Sequence, residues 1–286
     1  MPTAKATKLI NSVEKESRSM TSRTAAEIKA SYKALPKHIK EASTAIVWRG
    51  VSPYDGQKIM GVVSGLKTAS ANDKTGTMAQ LSILLADIYP VEAYKSGADA
   101  AICGECPLRL TDGSRICYVN VFFNDGSKFK SITEKEAAGH DVVITPEQLA
   151  TILAYRQRGI RFGSYGDPAM MPFELIDYIV TASGVNYTSY THQWVQPWFD
   201  ARHFQYSMAS IDHVNTVEML VKMHGEDVRY YRITAGTDDK LATNEIMCPS
   251  DTNKRKENGT RKVTCAECGL CAGSGKAAKS IVIDEE

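Results

Sequence analysis

Apolar residues recur along this chain in two rhythms, and the switch between them divides it. Over residues 1–43, Ile10, Val13, Met20, Ile28, Tyr32 and Leu35 stand at intermittent helical spacing among Lys, Ser, Thr, Ala and Glu. That pattern predicts one or two surface helices. From Thr44 onward short apolar runs take over. Ala45–Trp48 and Ile59–Val63 read as strands joined by the turn Ser52-Pro-Tyr-Asp-Gly56, which makes a hairpin. Met78–Leu85 is a nearly unbroken apolar run of strand length, the pattern of a strand buried on both faces. Asn72–Gly76 ahead of it lacks the glycine spacing of a phosphate-binding loop and reads as a polar turn. Pro90–Gly97 is a short helical link.

Tyr118–Phe123 reads as a further strand, Asn124-Asp-Gly126 as its turn, and residues 127–143 as a polar loop or lid. Thr145-Pro-Glu-Gln148 is a helix start, with a capping threonine and proline at the first helical position. That helix is expected to run to about Gln157, with Gly159 as its cap. Apolar runs then alternate in type. Ile160–Phe162, Asn186–Thr191, Phe204–Ala209 and Val228–Ile233 read as strands. Pro172–Thr181, Trp194–Ala201 and Asn215–His224 read as helices. Such alternation with short links predicts parallel strands and right-handed crossovers, hence an α/β fold. Polar residues gather at the carboxyl ends of these strands: Ser164, Tyr165 and Asp167; Thr191, His192 and Gln193; Ser210, Asp212 and His213; then Thr234. In parallel α/β folds that end carries the site. Three regions follow: a helical extension over 1–43, an α/β domain over 44–240, and a tail over 241–286.

Composition changes this picture little. Hydrophobic content of 43% and charged content of 23% suit a globular chain, and a net charge of +1 gives no global field toward nucleic acid or membrane. Lys5, Lys8, Lys15, Arg18 and Arg23 offer a nucleic-acid contact, but interspersed acidic residues favour a solvated helix face. No apolar run approaches the roughly 20 residues that span a bilayer. Met1-Pro-Thr-Ala-Lys has no apolar core behind it and does not read as an export signal, so a reducing, cytoplasmic setting is expected.

The cysteines change it most. All seven fall in two groups: Cys103, Cys106 and Cys117 as C-x2-C-x10-C, and Cys248, Cys265, Cys268 and Cys271 as C-x16-C-x2-C-x2-C. Close pairs of this kind let thiolates converge on one ion or cluster. Three cysteines cannot pair off among themselves as disulfides. Zinc and iron–sulfur both remain open: the first group needs a fourth zinc ligand, for which His192 and His140 are candidates, and the tight C-x2-C-x2-C favours a cluster at the second. Arg109 and Arg115, between the first ligands, are candidates to receive anionic groups or to offset thiolate charge. Asp167 serves equally as a turn residue, and His192 and His203 as ordinary core histidines. Trp194 and Trp198 around Pro197 suit core packing better than base stacking. Gly273-Ser-Gly-Lys276 has a misplaced first glycine and no following Ser or Thr, which excludes a Walker A loop.

In order, the chain presents a three-cysteine loop, a strand ending in Gly163-Ser-Tyr-Gly-Asp-Pro168, a strand ending in Thr191-His192, and one ending in Ser210-Ile-Asp212. This resembles the radical S-adenosylmethionine (radical SAM) family. The resemblance implies a partial (β/α) barrel and a [4Fe–4S] cluster on Cys103, Cys106 and Cys117 that binds S-adenosylmethionine through a free iron. It also implies cofactor contacts from Gly163, Ser164, Tyr165, Gly166, Asp167, Thr191, His192, Ser210 and Asp212. Cys248, Cys265, Cys268 and Cys271 resemble the auxiliary-cluster ligands of some members. Three differences stand out: C-x2-C-x10-C replaces the family's C-x3-C-x2-C, Asp167 replaces a glutamate, and an extra strand is expected after Cys117. The chain is also similar to a group of phage-encoded proteins with Lys-Thr-Gly-x-Met, Cys-Gly-x-Cys-Pro-x-Arg and Tyr-Gly-Asp-Pro segments, which would place it in a host cytoplasm. The implied substrate is a nucleotide, a modified base or a peptide. The alternative is a zinc-stabilised protein that binds nucleic acid or a host protein without catalysis.

Overall fold

The alternation of apolar runs folds into two sheets, described here from a computed structural model over residues 23–70, 72–109, 117, 119–212, 216–234, 240–250, 263–275 and 278–283. The basic residues before Arg23, and Arg115, His213, Lys254–Lys256 and Lys276, lie outside the described residues. Helix α1 (Ala25–Ala34) opens on a capping box between Thr24 and Glu27, and α2 (Lys37–Glu41) follows it. Strands β1 (Thr44–Val51) and β2 (Lys58–Ser64) form the expected antiparallel hairpin, with a register shift between Ile46 and Trp48. β3 (Ala79–Leu85) pairs antiparallel with β2, and α3 (Pro90–Ser96) and α4 (Ala100–Cys103) follow.

The segment after Cys117 departs from the expectation. It is helical, not a strand and turn: Val121–Asp125 forms a π-helical turn that runs into α5 (Gly126–Ala137). Asn120 caps the start by accepting from the Phe122 N–H. Gly126 adopts ordinary helical angles. Asp125 and Lys128 are drawn inward, where both bond Ser82 on β3. Tertiary pairing thus overrides a local turn signal.

Helix α6 (Pro146–Arg156) has the expected Thr145 cap, but the left-handed residue that ends it is Gln157, not Gly159. Then come β4 (Ile160–Phe162), α7 (Phe173–Ser183), β5 (Tyr187–Thr188) and β6 (Tyr190–Thr191). They are followed by β7 (Met208–Ile211), α8 (Thr216–His224) and β8 (Tyr230–Ile233). Residues 193–195 and 201–205 are short 3-10 turns, so the strand expected from Phe204 begins only at Met208. β9 (Glu245–Met247), α9 (Cys265–Cys268) and β10 (Ser280–Ile283) complete the chain.

The sheet orders are β1-β2-β3-β4-β5 and β6-β7-β8-β10-β9. Pairing is parallel from β3 through β5 and throughout the second sheet. Ser189 alone separates β5 from β6, so one extended stretch belongs to both sheets. Neither sheet closes on itself. The region expected as a tail supplies β9 and β10, two strands of the second sheet. The first sheet carries a large apolar core that runs from Ile39 to Tyr206. The second has smaller clusters, one of which includes Cys248 and Cys271. No described helix is long and apolar enough to cross a membrane.

Candidate metal and cofactor site

The carboxyl ends of the parallel strands bring three sequence-distant groups together. Cys106, three residues past α4, places its Sγ 3.4 Å from His192 Nδ1, just beyond β6. On the other side of the ring, His192 Nε2 lies 3.2 Å from Asp212 Oδ1, just beyond β7. Burial alone would lower the His192 pKa, but the bonds to Asp212 and Cys106 outweigh it and raise it to about 10. The Cys103 thiol is pushed well up, first by burial and then by the charges of Asp99, Cys106 and Cys117. Cys103 therefore feels both of the other cysteines of the loop. The Cys117 N–H closes the loop onto the Leu108 carbonyl at 3.1 Å.

Asp167 holds this assembly from below. Its Oδ1 accepts from the Ala169 N–H at 3.0 Å, and its Oδ2 accepts from the His192 N–H at 2.8 Å. Its own N–H donates to the Ile102 carbonyl at 2.7 Å. Burial raises its pKa against these bonds. Both carboxylate oxygens thus face backbone donors. Gly166, at φ 76, lies where a Cβ would come within 2.9 Å of the Ile83 Cβ and 3.0 Å of its carbonyl, so the turn needs glycine there.

The other expected cofactor contacts divide. Gly163 also takes a left-handed conformation. Tyr165 belongs to the first sheet's apolar core. The Thr191 hydroxyl accepts from the Gln193 N–H, and the Ser210 carbonyl accepts from Trp194 Nε1. Ser164 Oγ lies 2.7 Å from Ser82 Oγ, in the network with Asp125 and Lys128. Arg109 is not a free anion receptor. It pairs with Asp99 at 2.7 Å and donates to the carbonyls of Gly97 and Gly104. His140 is exposed, on the turn after α5. His203 is buried, and burial lowers its pKa to about 4.

Gln193, which the strand-end pattern placed but did not single out, is the missed residue. Its Nε2 donates to the Cys103 carbonyl at 2.7 Å, and its buried Oε1 has no hydrogen-bond partner among the described residues. A Cβ at Gly104 would overlap that amide. Its sequence signals were its place at a strand's carboxyl end and its adjacency to His192.

The second cysteine set surrounds a pocket of its own. Cys248, Cys265, Cys268 and Cys271 line it together with Thr188, Ser250 and Ile281. Burial raises the pKa of Cys248 and Cys265, and lifts Cys271 to about 12 against a hydrogen bond from the Tyr190 side chain. Arg229 fastens the loop from behind, donating to the carbonyls of Leu270, Gly273 and Lys279 at 2.8, 2.8 and 2.6 Å. None of the seven cysteines forms a disulfide. Among the described residues, no three His, Cys, Asp or Glu side chains stand close enough to enclose a single metal ion. Cysteines grouped by three and four in the sequence are nonetheless the donor type of zinc and iron–sulfur centres.

Comparison with family models, with curated proteins and with solved structures finds no match.

Proposed function

We propose that this chain is an iron–sulfur protein of the radical SAM type, with an active centre at Cys103, Cys106 and Cys117 and a second cluster at Cys248, Cys265, Cys268 and Cys271. The meeting of Cys106 with His192 and Asp212 carries the reading, because it sets the three-cysteine loop at the strand ends where parallel α/β folds place chemistry. The run of parallel pairing from β3 to β5, continued past Ser189 into β6, β7 and β8, supports a partial (β/α) barrel.

A three-cysteine [4Fe–4S] cluster supplies an iron without a protein ligand and the electron that cleaves the sulfonium of S-adenosylmethionine. The chain's own residues do the positioning. Gly163 and Gly166 let the turn fold tightly against Pro168 and Ile83, where a Cβ would clash, and Asp167 fixes that turn to the His192 N–H. Asp212 holds the His192 ring. The substrate is a nucleotide, a modified base or a peptide, and the compartment a reducing one, the cytoplasm of a host if the chain is phage-encoded.

One observation favours a second reading. A histidine that faces a thiol with one ring nitrogen and a carboxylate with the other is arranged as zinc-ligating histidines are, and would close a Cys3His site. The chain would then be a zinc-stabilised partner of nucleic acid or a host protein, without catalysis.

Elemental analysis and a visible spectrum on anaerobically purified protein test the proposal. Roughly four to eight irons per chain with absorption near 400 nm is the expected result. Zinc alone, without colour after anaerobic reconstitution, would reject it. His192→Leu separates the readings at the first site: a cluster survives it, whereas a Cys3His zinc site loses its metal.

A further inference from the structure

The two cysteine sets are far apart in sequence, yet one short stretch touches both. Thr188 lines the pocket of the second set. The Ser189 N–H donates to the Cys271 carbonyl at 3.2 Å. The Tyr190 side chain packs in the cluster that contains Cys248 and Cys271, near enough to the Cys271 thiol to hold its pKa down. Two residues later, His192 Nδ1 meets Cys106. Gln193 then donates to the Cys103 carbonyl, while its neighbour's N–H is held by Asp167. Six consecutive residues therefore carry contacts to the second set at one end and to the first set at the other.

We propose that residues 188–193 couple the two sites, so that filling one cysteine set raises the affinity of the other for metal. The inference rests on the reading of both sets as metal ligands. Its physical basis is the cost of ordering. A metal site is seldom pre-formed, so the first metal bound must fix the backbone that presents its ligands. Here part of that backbone is shared. Once Cys271 is held against Tyr190 and Ser189, the strand that presents His192 and Gln193 to Cys106 and Cys103 is already fixed. The second metal meets a smaller ordering cost, which is positive cooperativity without any change of shape. Because the coupling is between binding free energies, it acts equally in both directions.

Zinc(II) is a suitable probe, used on the full chain in a chelator-buffered titration under nitrogen. Protection of each cysteine from N-ethylmaleimide, located by mass spectrometry, reads the two sets separately and needs no activity. In Cys268→Ser, the midpoint for Cys103, Cys106 and Cys117 is expected to move to higher free zinc, in the range of about 5- to 150-fold that couplings commonly span. In Cys106→Ser, the midpoint for Cys248, Cys265, Cys268 and Cys271 is expected to move by the same factor. Gln193→Leu and Tyr190→Phe retain all seven thiols and are expected to shrink that factor. They decide the matter if either cysteine variant loses the amide-exchange protection of β1–β3 that marks a folded chain. Midpoints for one set that ignore the state of the other would overturn the coupling and leave the metal reading intact. Wild-type protein in which neither set gains protection, with zinc or with iron and sulfide, would overturn the metal reading itself.

Discussion

Gly104 shows how little freedom the first cysteine loop has. It follows Cys103 at φ 54 and ψ −137, a region that side-chain-bearing residues avoid. The Gln193 amide occupies the space a Cβ would need. Gly104→Ala must distort the backbone, at about 1–3 kcal/mol, and also displace the amide that holds the Cys103 carbonyl. The expected outcome is loss of metal from the first set, with the second set still loaded at saturating metal, in metal analysis resolved by alkylation mapping. His203 gives a prediction of another kind. It is 2% exposed, and burial lowers its pKa to about 4 from an ordinary 6.5. Between those values the unfolded chain binds a proton that the folded chain refuses, so stability falls as pH drops from about 6.5 to 4. The loss approaches about 3 kcal/mol at the acid end. Denaturant midpoints measured across that window should show this slope, and His203→Phe should flatten it.

At the scale of elements, both cysteine loops are fastened by an arginine that grips backbone carbonyls. Arg109 spans Gly97 and Gly104, and Arg229 spans Leu270, Gly273 and Lys279. The planar fork presents five donors in a fixed geometry that reaches carbonyls spread around it, which the compact ammonium of lysine does not match. Arg229→Met leaves the buried Gly273 carbonyl without this donor, at about 1–3 kcal/mol, and frees the partly buried Leu270 and Lys279 carbonyls. It should release metal from the second set, and Arg229→Lys should rescue poorly in the same metal assay. Sequence announced the cysteines and marked Arg109 for a different role, but gave no sign of Arg229 or of either grip, because the partners are main-chain atoms with no residue signature. The same limit explains the uneven legibility of the fold. Met78–Leu85 and the Thr145-Pro start of α6 were readable because the signal is local. Residues 118–143 were not, because Asn124-Asp-Gly126 speaks for a turn while Asp125 and Lys128 answer to Ser82 across the core. Strand-end placement marked His192 and Asp212. The meeting of His192 with Cys106 depends on a contact 86 residues apart and on no spacing in the chain.

Across the whole molecule, the two sheets differ in what holds them. The first is backed by an aliphatic core from Ile39 to Tyr206 that takes in only Cys103 among the cysteines, and that one at its margin. The second rests on small clusters, and one of them is completed by Cys248 and Cys271 with Met208, Ile281 and Ile283. A buried pair, Arg232 with Glu245 at 2.7 Å, ties β8 to β9 but needs its desolvation offset by the surrounding fold. The second sheet therefore has the lower stability of its own and depends more on what the thiols bind. Local opening follows such differences, since regions with few apolar contacts open at lower free energy. Chelation of the metal-loaded protein is expected to raise amide exchange first in β6–β10 and in residues 263–275, with β1–β4 and α6 still protected. A uniform rise across both sheets, followed by mass spectrometry under the same chelator, would mean that the chain unfolds as one unit and that the thiol sites stabilise both halves alike.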